Sequence, residues 1–142
     1  MSIIQWIKFH PLYSFVILFV IMWWVMGQLV ARLSGWHRLG RYYRFTGKFD
    51  GKNWFMKSIG MRYGQNYLNI ITIGINNSGL YLSTFPLFLP GHMPLFIPWE
   101  AIMFVKKRWM RIERECISFK QAQEIFIVLP EDIFQLIRNE KI

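Results

Sequence analysis

An uncharged apolar run, PLYSFVILFVIMWWVMGQLVA at residues 11–31, decides how the rest of this chain can fold. A helix needs about 20 predominantly apolar residues to cross the roughly 30 Å hydrocarbon core of a bilayer, and this run has that length. It is apolar on every face, whereas a surface helix of a soluble protein would carry a polar stripe. We therefore predict a transmembrane helix over residues 11–33, after a short N-terminal segment of residues 1–10.

A cleaved signal peptide is the alternative interpretation of this run. The apolar core of a signal peptide is normally only about 7 to 15 residues long and ends in a cleavage site of small residues. Here the apolar run is longer, and the sequence QLVARLSG at its end offers no convincing pair of small residues. The sequence favours a permanent anchor.

Positive charge is concentrated directly after the run. Residues 32–62 contain eight Lys and Arg residues against one acid, Asp50. The positive-inside rule then predicts that the N-terminus lies outside and the C-terminal domain in the cytoplasm. Basic residues beside the bilayer are attracted to anionic lipid headgroups, each by about 1 kcal/mol. The predicted membrane-surface residues are Arg32, Trp36, Arg38, Arg41, Arg44 and Lys48.

The same basic segment has two other interpretations. Its charges could serve topology alone, with no further role. Alternating aromatic and basic residues can also bind single-stranded nucleic acid, but beside a membrane span, docking at the lipid interface is the simpler explanation, so no nucleic-acid partner is predicted. We describe residues 34–52 as a basic, aromatic connector with one more helical turn at residues 39–43.

Strand signals begin at residue 53 and continue almost to the end of the chain. A β-branched run at residues 67–75, the turn NNSG at residues 76–79 and the run LYLSTF predict a hairpin, because Asn and Gly tolerate positive φ. Further strands are predicted near residues 53–62, 95–97, 102–109, 113–119 and 124–129. The sequence PEDIFQLIRNEKI predicts a final helix with Ile133, Phe134 and Ile137 facing inward.

About seven antiparallel strands closed by a C-terminal helix resemble a pleckstrin-homology (PH) barrel and its GRAM-like relatives. The segment GLYLSTFPLFLPGHMPLFIPWEAI at residues 79–102 also resembles a pattern of uncharacterised bacterial single-span proteins. The resemblance implies a mainly-β (α+β) PH-like domain at residues 53–142, anchored in a bacterial inner membrane. It brings no catalytic or ligand residue, and the turn where such domains bind phosphoinositides holds only Gly64, Gln65 and Asn66 here.

The proline-rich loop at residues 86–98 contains too many large apolar residues for a simple connection. Loops normally run over the surface, so these residues must either cap an open end of the barrel or meet a membrane or a protein partner. Both interpretations stay open. The candidate partner-loop residues are Leu87, Phe88, Leu89, His92, Met93 and Phe96.

No residue pattern points to catalysis, a cofactor or a metal. His10, His37 and His92 are scattered, and the single Cys116 allows neither a disulfide nor a thiolate cluster. Glu113 and Glu115 have basic neighbours and are interpreted as surface ion pairs. We therefore predict a membrane-anchored, non-catalytic module that binds a lipid or protein partner.

The alternative function is a small structural or accessory subunit of a larger membrane complex. In such a subunit the transmembrane helix would be the main contact, through a stripe of polar and small residues. Ser14, Gly27 and Gln28 form a faint stripe of this kind.

Overall fold

The computed structural model describes residues 2–61, 66–85, 91–109 and 112–141. Three helices come first: α1 (Ile3–Phe9), α2 (Pro11–Ser34) and α3 (Trp36–Tyr43). Seven strands follow, and helix α4 (Glu131–Lys141) comes last. Among the described residues, α2 is the one helix long and apolar enough to cross a membrane, with 24 residues. Its length and composition suit a membrane span or a signal sequence.

The strands form two antiparallel sheets. One sheet has the order β1-β2-β3-β4 and the other the order β5-β6-β7. Together with α4 they confirm the mainly-β part of the predicted fold, including the hairpin of β2 and β3. The strands are β1 (Lys52–Gly60), β2 (Asn66–Ile75), β3 (Gly79–Thr84), β4 (Leu95–Pro98), β5 (Ile102–Trp109), β6 (Ile112–Phe119) and β7 (Ala122–Ile127).

The turn between β2 and β3 forms for a different reason from the one the sequence suggests. None of its residues has positive φ. Instead, the Asn76 side-chain oxygen accepts the N–H groups of Ser78 (2.8 Å) and Gly79 (3.0 Å). A Cβ on Gly79 would lie 2.3 Å from the backbone oxygen of Ile97 on β4, so glycine is needed here for a close strand approach.

The two sheets are connected at two places. After β4, a 3₁₀ turn at Trp99–Ala101 leads directly into β5, and Trp99 Nε1 donates to the Asn76 carbonyl at 3.1 Å. On the other side, Gly60 at the end of β1 exchanges two backbone hydrogen bonds with Val128 after β7, of 3.0 and 2.8 Å. The sheets are therefore joined through a chain continuation at one place and an isolated bridge at the other.

One hydrophobic core collects side chains from both sheets, from α3 and from α4. Ile133, Phe134 and Ile137 are buried, as predicted for the inward face of α4, and the Phe134 ring meets Phe104 edge-on at 5.5 Å. On α3, the Tyr43 ring lies 6.0 Å from Phe119. Burying a large aliphatic or aromatic side chain contributes about 1.5 to 3 kcal/mol, so both helices are held chiefly by packing.

The structure corrects the description of residues 34–52 as a connector. Gly35 ends α2 with a left-handed φ of 97°, and a Cβ there would lie 2.7 Å from Ile125 of β7. The chain then turns straight into α3, which is longer than the single predicted turn and lies in the core. Arg44 forms a bridge with Leu95, and Phe45 N–H donates to the Pro94 carbonyl at 2.9 Å. This segment is thus part of the domain.

Candidate functional site

The end of α2 is built into the domain. Gly27, Ala31 and Ser34 are buried and follow each other at the spacing that places residues on one helix face. Beside them, a Cβ on Gly91 would lie 2.7 Å from Gln28 Oε1, so the Gly91 backbone passes directly over the Gln28 side chain. The last two turns of the apolar helix therefore contact the proline-rich loop at Gly91.

A chain of three buried polar side chains joins this helix end to the domain. Ser34 Oγ lies 2.8 Å from the Tyr67 hydroxyl on β2, and that hydroxyl lies 2.7 Å from His92 Nε2. The Trp36 ring packs on both partners, with centroid distances of 5.7 Å to Tyr67 and 5.4 Å to His92. Three separate parts of the chain meet in this cluster, which we call the Ser-Tyr-His cluster.

The electrostatics of the Ser-Tyr-His cluster favour a neutral phenol. Burial raises the pKa of Tyr67 to about 12, although the hydrogen bond with Ser34 partly opposes this. A phenol with such a pKa stays protonated at neutral pH. Tyr67 can therefore connect Ser34 and His92 by hydrogen bonds without acting as a base, and the arrangement is suited to holding elements together.

Helix α3 has two distinct faces. Its inward face carries Trp36, Leu39 and Tyr43, all buried. Trp36 Nε1 donates to the Met93 carbonyl at 2.8 Å, which ties α3 to the end of the proline-rich loop. The Tyr43 hydroxyl accepts the Gln121 N–H at 3.3 Å, which ties α3 to the turn before β7.

The outward face of α3 forms one wall of an open cleft of about 380 Å³. The opposite wall is the segment around Gly91 and Met93, which the Trp36 hydrogen bond holds in place. Gly40 lies in the middle of the helical wall, and a Cβ there would have no atom within 4 Å. The lining residues, which define the α3 cleft, are Trp36, His37, Gly40, Arg41, Arg44, Gly91 and Met93.

The predicted membrane-surface residues fall into three groups in the structure. Arg32 and Lys48 are exposed, and Arg41 and Arg44 are exposed and line the α3 cleft. Arg38 forms an ion pair with Glu124 of β7, so its charge is partly used within the domain. Trp36 corrects the prediction: it is 0% exposed and packs in the core, because Tyr67 and His92 enclose its ring, and it cannot present that ring to a bilayer surface.

The candidate partner-loop residues are also divided. Leu87, Phe88 and Leu89 lie outside the described residues. His92 is only 8% exposed because it belongs to the Ser-Tyr-His cluster, so it is a packing residue of the loop. Met93 is 39% exposed at the cleft, whereas Phe96 is half-buried on β4 at 5.8 Å from the Phe45 ring.

Two residues of the Ser-Tyr-His cluster are not among the candidate site residues predicted from the sequence. In the sequence, Ser34 is the first residue of the predicted connector and Tyr67 the first of the β-branched run, and neither side chain is given a role. The available signal is their polarity within apolar surroundings, since a buried polar group needs a hydrogen-bond partner. Glu115 also has a partner different from the expected neighbours, because its carboxylate contacts Arg138 of α4 at 3.4 Å.

Within the part of the chain that the structure describes, no three His, Cys, Asp or Glu side chains come together as metal ligands. The groups available for binding at the α3 cleft are the imidazole of His37 and the guanidinium groups of Arg41 and Arg44. Such a set of donors suits an anion. Comparisons of this chain with protein-family models, with curated proteins and with solved structures find no match.

Proposed function

We propose that this protein is a membrane-anchored, non-catalytic PH-like module that gathers a lipid or protein partner at the cytoplasmic face of a bacterial inner membrane. Four plus three antiparallel strands, connected at two places and followed by a C-terminal helix, support a PH-like or GRAM-like barrel. The exposed apolar residues Phe55, Met56 and Leu68 on β1 and β2 support a protein partner, because exposed apolar surface often marks interaction sites.

The observation that carries the proposal is the way the apolar helix ends. Ala31 belongs to the same core as α3 and the sheets, and Ser34 is hydrogen-bonded to Tyr67. A signal sequence is removed after export, so its last turns would not be part of a folded core. A helix that serves as a permanent anchor can be, and the domain is then held directly at the bilayer surface.

The basic excess supports the orientation. Eight Lys and Arg residues against Asp50 alone follow the apolar helix within residues 32–62, and this bias favours retention of the flanking segment in the cytoplasm. The N-terminus would then lie outside.

The alternative, a structural subunit bound through its helix, has less support. Gly27 is buried by this chain's own domain, and Gln28 faces Gly91. Ser14 donates to the His10 carbonyl within the same helix region at 2.8 Å. The faint stripe that could contact another subunit is therefore occupied by contacts within the chain.

Fusions of two reporters to the C-terminus of the full chain test the proposal. A reporter that is active only in the cytoplasm should be active, and one that requires export should be inactive. The same pair fused to the N-terminus provides the matched control and should give the opposite pattern. Activity of the exported reporter at the C-terminus would overturn the orientation.

Crosslinking in intact membranes, followed by mass spectrometry, then tests partner binding. We expect lipid or protein adducts on the domain as well as on α2. Adducts confined to α2, and to one protein of a larger complex, would favour the structural-subunit alternative.

A further inference from the structure

We propose that the α3 cleft binds the phosphate headgroup of an anionic phospholipid. The inference deepens the proposed function and rests on it, because it requires α2 to lie in a membrane. It assigns the lipid contact to one site formed by His37, Arg41 and Arg44, in place of a diffuse basic surface.

The first support is the arrangement of charge. His37 and Arg41 lie one turn apart on α3, Arg44 follows directly after the helix, and all three line the α3 cleft. Among the described residues, no carboxylate forms an ion pair with Arg41 or Arg44, whereas Arg38 on the same helix is paired with Glu124. Arginine side chains bind phosphate through two parallel hydrogen bonds, so this pair offers the donors that a phosphate needs.

The second support is the space between these donors. Glycine is a poor helix former, yet Gly40 occupies the middle of α3, and a Cβ there would meet no atom within 4 Å. The absence of a side chain leaves the helical wall of the cleft open. Its volume of about 380 Å³ is within the range of small-ligand sites, which is about 300 to 1,000 Å³.

The third support is the depth of the cleft relative to a bilayer. About 20 helical residues span roughly 30 Å, so a span that begins at Pro11 reaches the inner headgroup boundary near Val30. Gly91, in the far wall of the cleft, passes over Gln28, close to this boundary. The cleft is therefore next to the layer where lipid phosphates lie.

The walls favour a lipid over free phosphate. Met93 is 39% exposed at the cleft and provides apolar surface next to the guanidinium groups. A phospholipid offers both a phosphate and adjoining glycerol and acyl carbons, whereas inorganic phosphate has no apolar part to contact Met93. A lipid therefore uses both kinds of surface that the cleft presents.

The test uses the full chain in nanodiscs of phosphatidylcholine that contain a small fraction of photoactivatable phosphatidylglycerol. We expect light-induced labelling of peptides from α3 and from residues 91–93. Replacing both arginines (R41Q with R44Q) should lower this labelling by about tenfold or more, because hydrogen bonds to charged groups are the strong ones. The matched control K106Q with K120Q removes the same charge at two exposed positions outside the cleft and should keep labelling within about twofold of the unmodified chain, because solvent and salt screen charges away from the bound phosphate.

Gly40 provides a second test that leaves the charge unchanged. Gly40→Leu should fill the cleft and reduce labelling as strongly as the arginine changes, and Gly40→Ala, which adds only a methyl group, should reduce it less. Both residues are better helix formers than glycine, so neither should unfold α3. Thermal unfolding of each variant checks this point.

Three results would overturn the inference. Labelling could fall equally in the arginine pair and the lysine pair, which would indicate diffuse attraction. It could persist in Gly40→Leu, which would place the lipid elsewhere. Excess inorganic phosphate could abolish labelling of the unmodified chain, which would favour a soluble phosphate ligand over a lipid. Since both faces of a nanodisc are accessible, these results do not depend on orientation, and the reporter fusions test that part of the proposed function separately.

Discussion

Replacing Tyr67 by Phe tests whether the Ser-Tyr-His cluster fixes the domain to the end of the apolar helix. The substitution keeps the ring that packs on Trp36 and removes only the hydroxyl between Ser34 Oγ and His92 Nε2. Ser34 keeps other contacts, since its hydroxyl also lies 3.4 Å from the Ala31 carbonyl and accepts the Trp36 N–H at 3.3 Å. The substitution therefore removes two contacts of the Tyr67 hydroxyl, one with Ser34 Oγ and one with His92 Nε2, in a site where His92 is 8% exposed.

The expected cost follows from the loss of these two contacts. A hydrogen bond contributes about 0.5 to 1.5 kcal/mol net, so losing both should cost about 1 to 3 kcal/mol. For a domain of about 100 residues, 1 kcal/mol shifts the melting temperature by about 4 °C or more, so the midpoint should fall by roughly 4 to 12 °C. Thermal unfolding of the full chain in detergent, followed by near-ultraviolet circular dichroism, measures this shift.

Tyr81→Phe is the matched control. Tyr81 is half-buried, its ring stacks on Phe49 at 4.7 Å, and no hydrogen bond of its hydroxyl occurs among the described residues. The melting midpoint of the Tyr81→Phe variant should change by less than about 2 °C, because only an unpaired hydroxyl is lost. Equal midpoints for the two variants would refute the conclusion that the Tyr67 hydroxyl joins the cluster.

Tyr67 should also make the free energy of unfolding depend on pH. Burial raises the pKa of Tyr67 to about 12 from an ordinary value of 10.0. Between these values the phenol ionises in the unfolded chain but stays protonated in the folded one, so stability is complete below pH 10 and falls as pH rises toward 12. The slope is about 1.4 kcal/mol per pH unit for this one group. The slope of the Tyr67→Phe variant over this interval should be smaller by that amount, and identical slopes would refute the prediction.

Two further predictions concern single sites. Gly79→Ala should lower the free energy of unfolding by about 2 kcal/mol or more, since the new Cβ would lie 2.3 Å from the Ile97 backbone oxygen. Chemical denaturation measures this loss, and Gly40→Ala, which meets no atom, should show none. Cys116 should react with thiol reagents only on unfolding, because it is 0% exposed and burial raises the pKa of its thiol despite the nearby Lys107. Rapid labelling of the native chain would contradict this.

Local signals were sufficient to predict most of the strands. The β-branched stretch in β2, the turn at residues 76–79 and the amphipathic pattern of α4 are each encoded within a few consecutive residues. Even so, the turn depends on an Asn76 side-chain cap and on the closeness of β4 to Gly79, not on positive φ. Local patterns therefore predicted the turn but not the interactions that form it.

The candidate site could be predicted only in part, because its contacts join distant residues. Ser34 and Tyr67 are 33 positions apart, and Tyr67 and His92 are 25 apart. The sequence around an aromatic residue next to a predicted span looks the same whether its ring faces lipid or a protein core. For this reason the sequence assigns Trp36 to the membrane surface, whereas the structure places it in the core. The basic character of Arg41 and Arg44 was evident in the sequence, but the cleft between them depends on a loop some 50 residues later.

The position of α3 in the core affects how the protein is made. The partner of the Tyr43 hydroxyl, Gln121, comes 78 positions later in the chain. At a synthesis rate of roughly 5 to 20 residues per second, α3 waits about 4 to 16 s after its own translation before the ribosome adds that partner. The apolar helix precedes α3 and, in the proposed membrane-anchored arrangement, would insert during this interval. The aromatic side chains of α3 would then lie beside the bilayer before their final cover is made, and the membrane surface would be the first apolar environment that this helix meets.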